Sequence, residues 1–132
     1  MSRILLDTSA YSAFKRGHTD VVASVRRARE ILLPITVLGE LLAGFEAGTR
    51  RQANEEELHR FLQSPRTSIV PLLEATARRY AVIYADLRRA GRPVPTNDMW
   101  IAASAMEHGA ELLTTDDDFT AIARILVRHF PP

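Results

Sequence analysis

The sequence contains no cysteine, which excludes disulfides, zinc ribbons and thiol catalysis. No stretch approaches the ~20 consecutive apolar residues that span a bilayer, so no membrane partner is expected. The opening run MSRILLDTS is too short for a signal peptide, because Asp7 closes it at once. A cytoplasmic location is the expectation. Lysine is almost missing: of 17 basic residues, Lys15 is the only lysine and the rest are arginine. A net charge of +1 leaves no broadly basic coat for nucleic acid. The arginines nonetheless cluster, at Arg26, Arg27 and Arg29, at Arg50 and Arg51, at Arg78 and Arg79, and at Arg88, Arg89 and Arg92. Guanidinium forks suit phosphate, although a solvated helix face is the plainer account of any one pair.

What is present is an ordinary globular pattern. At 132 residues the chain suits one domain over 1–132, burying roughly two thirds of its unfolded surface. There are no internal repeats and no low-complexity segment. Buried strands are expected at Arg3–Leu6, 30–33, 68–71, 111–113 and 125–127. Helices are expected at 20–29, at 36–48 with Thr36 as N-cap and Gly48 as stop, and at 54–63. Two more are expected at Glu74–Ala90, closed by Gly91, and at 98–108, closed by Gly109. Strands and helices alternate over most of the length. That order implies the α/β class, with a parallel sheet covered by helices on both faces.

Four acidic residues stand at the edges of apolar elements. Asp7 directly follows the first strand, where ligands bind in open α/β sheets, and an N-cap for the next helix is an equal reading. Glu40 lies beside the apolar arc of Val37, Leu38, Leu41, Leu42 and Phe45. A capping box from Thr36 would place its acid at Gly39, so capping does not explain Glu40. Asp98 shares a helix face with Ile101, Ala102 and Ala105, and Thr96 or Asn97 could cap that helix instead. Asp116 ends a strand and is followed by Asp117 and Asp118, whose mutual repulsion a cation would relieve. Strand end, helix edge, helix start and strand end can meet at one rim of a parallel sheet. An all-oxygen set without His or Cys suits Mg²⁺ or Mn²⁺ rather than Zn²⁺, and such an ion acts naturally on a phosphodiester.

The ordered set ILLDTS, Glu40, the stretch from Asn97 to Ala103 (NDMWIAA) and that from Thr114 to Phe119 (TTDDDF) resembles the PIN domain, most closely the VapC-type ribonuclease toxins of prokaryotic toxin–antitoxin pairs. The resemblance implies a three-layer α/β/α sandwich with four to five parallel strands. It implies Asp7, Glu40, Asp98 and Asp116 as the catalytic and metal-binding quartet for Mg²⁺ or Mn²⁺. Thr8, Ser9, Thr115 and Asp118 are implied in support, with Asp118 a rival to Asp116 as primary ligand. It further implies an RNA substrate, cleavage leaving 5′-phosphate and 3′-hydroxyl ends, a cognate antitoxin and a homodimer or higher toxin–antitoxin assembly. Among Trp100, Tyr11, Phe14, Phe45 and Phe61, core packing accounts for most, with Phe14 and Phe45 as interface candidates.

Other readings are weaker. A haloacid-dehalogenase-like phosphatase needs a second acid where Ser9 stands. A phosphoaccepting receiver domain needs paired acids after the first strand and a lysine after the last. A catalytically silent PIN-like module that binds RNA or an antitoxin is the remaining alternative.

Overall fold

The continuous apolar runs become the buried central strands of a five-stranded sheet whose two edge strands are largely exposed. In this computed structural model, which describes residues 2–132, the strands are β1 (Arg3–Leu6), β2 (Glu30–Pro34), β3 (Thr67–Val70), β4 (Glu111–Thr114) and β5 (Val127–His129), of which β3 and β5 form the edges. Leu5, Leu6, Leu33, Leu112 and Leu113 are fully buried. Burial of neighbouring residues, rather than alternation, is what a parallel sheet with both faces covered requires. Helices α1 (Thr8–Lys15), α2 (Thr19–Arg27), α3 (Ile35–Ala47), α4 (Arg51–Leu62), α5 (Glu74–Ala90) and α6 (Thr96–His108) supply that cover. The α/β/α sandwich implied by the sequence is therefore the observed one.

All strand pairs are parallel, in the order β3-β2-β1-β4-β5. The chain builds outward from β1 through β2 to β3, then returns to place β4 on the opposite side of β1. That reversal opens a crevice at the carboxyl ends of β1 and β4, the place where open α/β sheets bind ligands. The register sets Leu6 beside Leu113, and the Asp7 N–H extends the ladder to the Leu113 carbonyl at 3.4 Å. The residues just past both strands, Asp7 and Asp116, thus come to the crevice together.

Several local expectations need correction. Residues 8–15 form a helix, α1, where none was marked. Thr36 does not cap α3, which starts at Ile35 after Pro34; the fixed φ of proline (−61°) already sets the extended entry, and Thr36 lies inside the first turn. Neither Thr96 nor Asn97 caps α6, because Pro95 takes the cap position with no side-chain bond. The last strand is Val127–His129, two residues later than expected, and Leu42 is 36% exposed and so stands at the edge of its apolar arc. Gly91 and Gly109 do close α5 and α6, at φ of 63° and 59°, the left-handed conformation that favours glycine. Tyr11 is buried against Phe61, Phe14 packs on the same ring at 5.6 Å, and Trp100 stacks on Tyr80 at 4.2 Å. Among the described residues, no helix is long and apolar enough to cross a membrane.

Candidate metal centre

Asp7 sits at the floor of the crevice, only 4% exposed. Its Oδ1 accepts the Ser9 hydroxyl and the Ala10 N–H, both at 2.7 Å, and its Oδ2 accepts the Thr114 hydroxyl at 2.5 Å. The Ala10 bond is an N-cap for α1. Asp7 is therefore the N-cap of α1 and at the same time lies in the crevice at the ends of β1 and β4. Ser9 Oγ accepts the Thr115 N–H and Thr114 Oγ1 accepts the Asp116 N–H, each at 2.9 Å. Two hydroxyls thus tie the end of β1 to the turn after β4.

That turn is built by the aspartate run itself. Asp116 is extended (φ −96°, ψ 137°), and its Oδ1 accepts the Asp118 N–H at 2.9 Å. The local side-chain bond starts a 3₁₀ turn, Asp117–Ala121, which returns Asp118 to the same side as Asp116. Phe119 is fully buried and anchors the turn. Asp117 points the other way, with its side chain 91% exposed and 3.0 Å from His129 Nε2.

Asp98 enters from the first turn of α6. One carboxylate oxygen from each of Asp98, Asp116 and Asp118 lies within 4.8 Å of the other two. Glu40 reaches the same region from α3, held by the Thr8 hydroxyl on Oε1 at 2.5 Å and the Asn97 amide on Oε2 at 3.3 Å. Asn97, free of any capping duty, orients Glu40 instead.

The electrostatics follow from this crowding. Burial, then the charges of Asp116, Asp118, Glu40 and Asp7, push the Asp98 pKa from 3.8 up to about 7. Burial also raises the Asp7 pKa, opposed by its hydrogen bonds from Thr114, Ala10 and Ser9, with Asp116 adding to the rise. No arginine or lysine forms an ion pair with Asp7, Glu40, Asp98, Asp116 or Asp118 among the described residues. Five carboxylates without a basic partner are costly as anions, and a divalent cation relieves that cost directly. The donor set is all oxygen. Its spacing is comparable with the ~3–4 Å separating neighbouring ligands on an ion with ~2.1 Å bonds. The residues fit a hard divalent cation.

The PIN domain profile matches residues 4–125. The chain belongs to the PIN domain family. Ribonuclease VapC4 of Mycobacterium tuberculosis is 33% identical to it over 125 residues, with 95% of each chain covered. Ribonuclease VapC11 of the same organism is 35% identical over 132 residues, with 92% of each covered. The solved DNA-bound VapBC complex from Salmonella typhimurium shares the fold at a TM-score of 0.85, with 23% identity and 98% of each chain covered. The VapC resemblance drawn from the sequence therefore holds over nearly the whole chain.

Within this PIN domain the clustered acids differ in membership from the expected quartet. Asp98 and Asp116 are joined by Asp118, which was expected in support and as a rival to Asp116. Asp7 and Glu40 flank the three and are engaged by hydroxyl and amide donors. Thr8 and Ser9 contribute their hydroxyls, whereas Thr115 contributes its backbone N–H. The second hydroxyl of the network belongs to Thr114, which the sequence reading did not single out. Its signal was a polar residue ending an apolar strand just before the aspartates, a position buried on both faces in a parallel sheet.

Proposed function

We propose that this chain is a metal-dependent endoribonuclease, the toxin of a toxin–antitoxin pair. The observation that carries this reading is the convergence of Asp98, Asp116 and Asp118 beside Asp7 and Glu40, with no arginine or lysine paired to them among the described residues. Asp98, Asp116 and Asp118 would hold Mg²⁺ or Mn²⁺, with Asp7 beneath them as a further ligand or the residue that fixes the Asp116 turn. When bound, the ion polarises a phosphoryl oxygen and lowers the pKa of water. Glu40, aimed by Thr8 and Asn97, orients the attacking water and accepts its proton. The water oxygen bonds to phosphorus, the P–O3′ bond breaks, the departing 3′ oxygen takes up a proton from solvent, and Glu40 releases its own to solvent. The ribose 2′-hydroxyl takes no part, so the products carry 5′-phosphate and 3′-hydroxyl ends.

The relatives named as VapC ribonucleases support the activity, and the VapBC complex supports a cognate antitoxin as partner. An antitoxin arginine would satisfy the anionic crevice in place of the cation. Homodimerisation or a higher toxin–antitoxin assembly is supported by exposed large apolar side chains, among them Ile35, Ile69 and Leu73. The test is cleavage of single-stranded RNA by the purified chain with Mg²⁺ or Mn²⁺, with the product ends mapped. The expected result is cleavage that chelator abolishes, with loss in Asp98→Asn while circular dichroism stays unchanged. Products ending in 2′,3′-cyclic phosphate would overturn the mechanism. A wild-type chain that binds RNA and never cuts it would leave the silent binding module as the answer.

A further inference from the structure

The three clustered carboxylates come from two separate pieces of the fold. Asp98 belongs to α6, whereas Asp116 and Asp118 belong to the 3₁₀ turn after β4. Like charges push these pieces apart until a cation arrives, so other contacts must hold them together in its absence. Ser9 and Thr114 tie the start of the turn to β1, and Phe119 anchors its middle in the core. The exit of the turn is held differently. Residues 122–126 form no regular secondary structure, and of their side chains only Ile122 is buried, with Ile125 half-buried.

That exit lies against α5. This helix packs in turn on α6, where Tyr80 stacks on Trp100 at 4.2 Å, two residues past Asp98. Between α5 and the exit is a cavity of about 220 Å³, bounded by Ile83, Leu87 and Ala90 on one side and by Ala121 and Ile122 on the other. It is smaller than the ~300–1,000 Å³ of small-ligand sites and marks a gap in the packing. An ion pair bridges the gap. Asp86 Oδ2 accepts Arg124 Nε at 2.5 Å, and Oδ1 accepts Arg124 Nη2 at 3.4 Å. Arg89, one turn along the same helix, donates Nη2 to Oδ1 at 2.6 Å. The hydrogen bond from Arg124, with the charges of Arg124 and Arg89 behind it, holds the Asp86 carboxyl below its ordinary range. A lone surface pair contributes little, but two-point contact and a network of charges are the conditions under which such a pair counts. Among the described residues, these are the only side-chain hydrogen bonds that residues 122–126 make.

We propose that Asp86 and Arg124 are positioning residues for the cation site: their pair ties the turn bearing Asp116 and Asp118 to the α5–α6 unit bearing Asp98. The proposal rests on the divalent-cation reading of the crevice and deepens it. Both residues act through the turn and neither holds the cation. Without the pair, the exit of the turn moves away from α5 and the acids are together for a smaller fraction of the time. The apparent cation affinity falls by that fraction.

The experiment compares wild type with Asp86→Ala, Arg124→Ala, the double variant, Arg124→Lys and Arg89→Ala. Calorimetric titration gives the Mn²⁺ Kd, and amide hydrogen exchange of residues 117–126 is followed in the metal-free protein. Asp86→Ala and Arg124→Ala should each weaken Mn²⁺ binding about fivefold, and the double variant no further, because each removes the same tie. Arg124→Lys keeps the charge without the fork and should recover part of the loss. Arg89→Ala removes a partner within the helix and should bind Mn²⁺ as wild type does. Exchange over residues 117–126 should quicken about fivefold in both alanine variants and return to the wild-type rate at saturating Mn²⁺. In RNA cleavage the Mn²⁺ concentration for half-maximal rate should rise by the same factor, with kcat at saturating Mn²⁺ unchanged. Arg124 lies in an exposed loop, so its variant keeps the test open if Asp86→Ala disturbs α5.

A wild-type Kd in both alanine variants, with only their melting temperature lowered, would overturn the proposal and leave the cation site standing. Losses that multiply to about 25-fold in the double variant would also overturn it, since the two residues would then act apart from their pair. A wild-type chain that takes up no Mn²⁺ would reject the cation-site reading and the proposal with it. The expected pattern of Mn²⁺ affinities in a chain that never cuts RNA would support the positioning role and reject the reaction.

Discussion

Asp98→Asn should make the metal-free protein more stable and its metal-bound form less so. At pH 8 the ionised Asp98 faces Asp116, Asp118, Glu40 and Asp7 without a cation. The distance from 3.8 to about 7 corresponds to about 4 kcal/mol at 1.36 kcal/mol per pKa unit. Solvent reaching the half-buried carboxylate screens this to roughly 1–2 kcal/mol. The sign follows from linkage. A carboxyl whose folded pKa is raised contributes stability that is fully present below 3.8 and is lost as pH rises through about 7. Asparagine removes that loss, so in chelator at pH 8 the variant should melt roughly 3–8 °C above wild type. At pH 4.5 the two should nearly coincide. Adding Mn²⁺ reverses the order, because binding at 100 times Kd stabilises wild type by about 2.7 kcal/mol and the variant has lost a charged ligand. The assay is a thermal melt of both proteins, with chelator or Mn²⁺, across pH 4.5–8.5. A variant that melts below wild type in chelator at pH 8, or gains as much from Mn²⁺, would refute the reasoning.

The apparent Mn²⁺ affinity of wild type should rise steeply between pH 5 and 8 as Asp98 gives up its proton, measured by calorimetric titration; an affinity flat over that range would contradict the ligand set. Thr114→Val removes the hydroxyl shared by Asp7 and the Asp116 N–H. It should cost about 1–3 kcal/mol by chemical denaturation and ~10–100-fold in metal affinity, with Thr114→Ser close to wild type. Gly109→Ala, at φ 59° with no atom within 4 Å of the added methyl, should cost about 1–2 kcal/mol through backbone strain alone. The same variant should keep an unchanged Mn²⁺ shift. Phe119→Ala, in a fully buried position, should cost about 3–5 kcal/mol and free the turn that carries Asp118, read as loss of both stability and metal response.

The sheet was legible in the sequence because a parallel strand buried on both faces leaves an unbroken apolar run, as ILL before Asp7 and LL before Thr114 do. The helices with glycine stops were legible for a similar reason, since Gly91 and Gly109 take a backbone conformation that other residues resist. Helix α1 escaped notice because it is only eight residues long; its apolar face is Ala10, Tyr11, Ala13 and Phe14, and the Asp7 carboxylate caps it on the Ala10 N–H. Placing Asp7 and Asp116 together required the strand order, which depends on long-range pairing and not on local pattern. Asp118 was legible only through the family resemblance, as a rival to Asp116. Three consecutive aspartates look equivalent in a sequence, and only the bond from the Asp118 N–H to Asp116 Oδ1 turns the middle one outward toward His129. Asn97 looked like a helix cap, but Pro95 had taken that position, leaving the amide to hold Glu40.

The central claim is that these carboxylates form a divalent-cation site. The most direct test is a crystal grown with Mn²⁺ and measured for anomalous scattering at the manganese edge. A strong peak bounded by Asp98, Asp116 and Asp118, with Asp7 and Glu40 around it, is the result predicted here. A fully ordered crevice with no manganese at millimolar concentration, its acids protonated and hydrogen-bonded to one another, would contradict it.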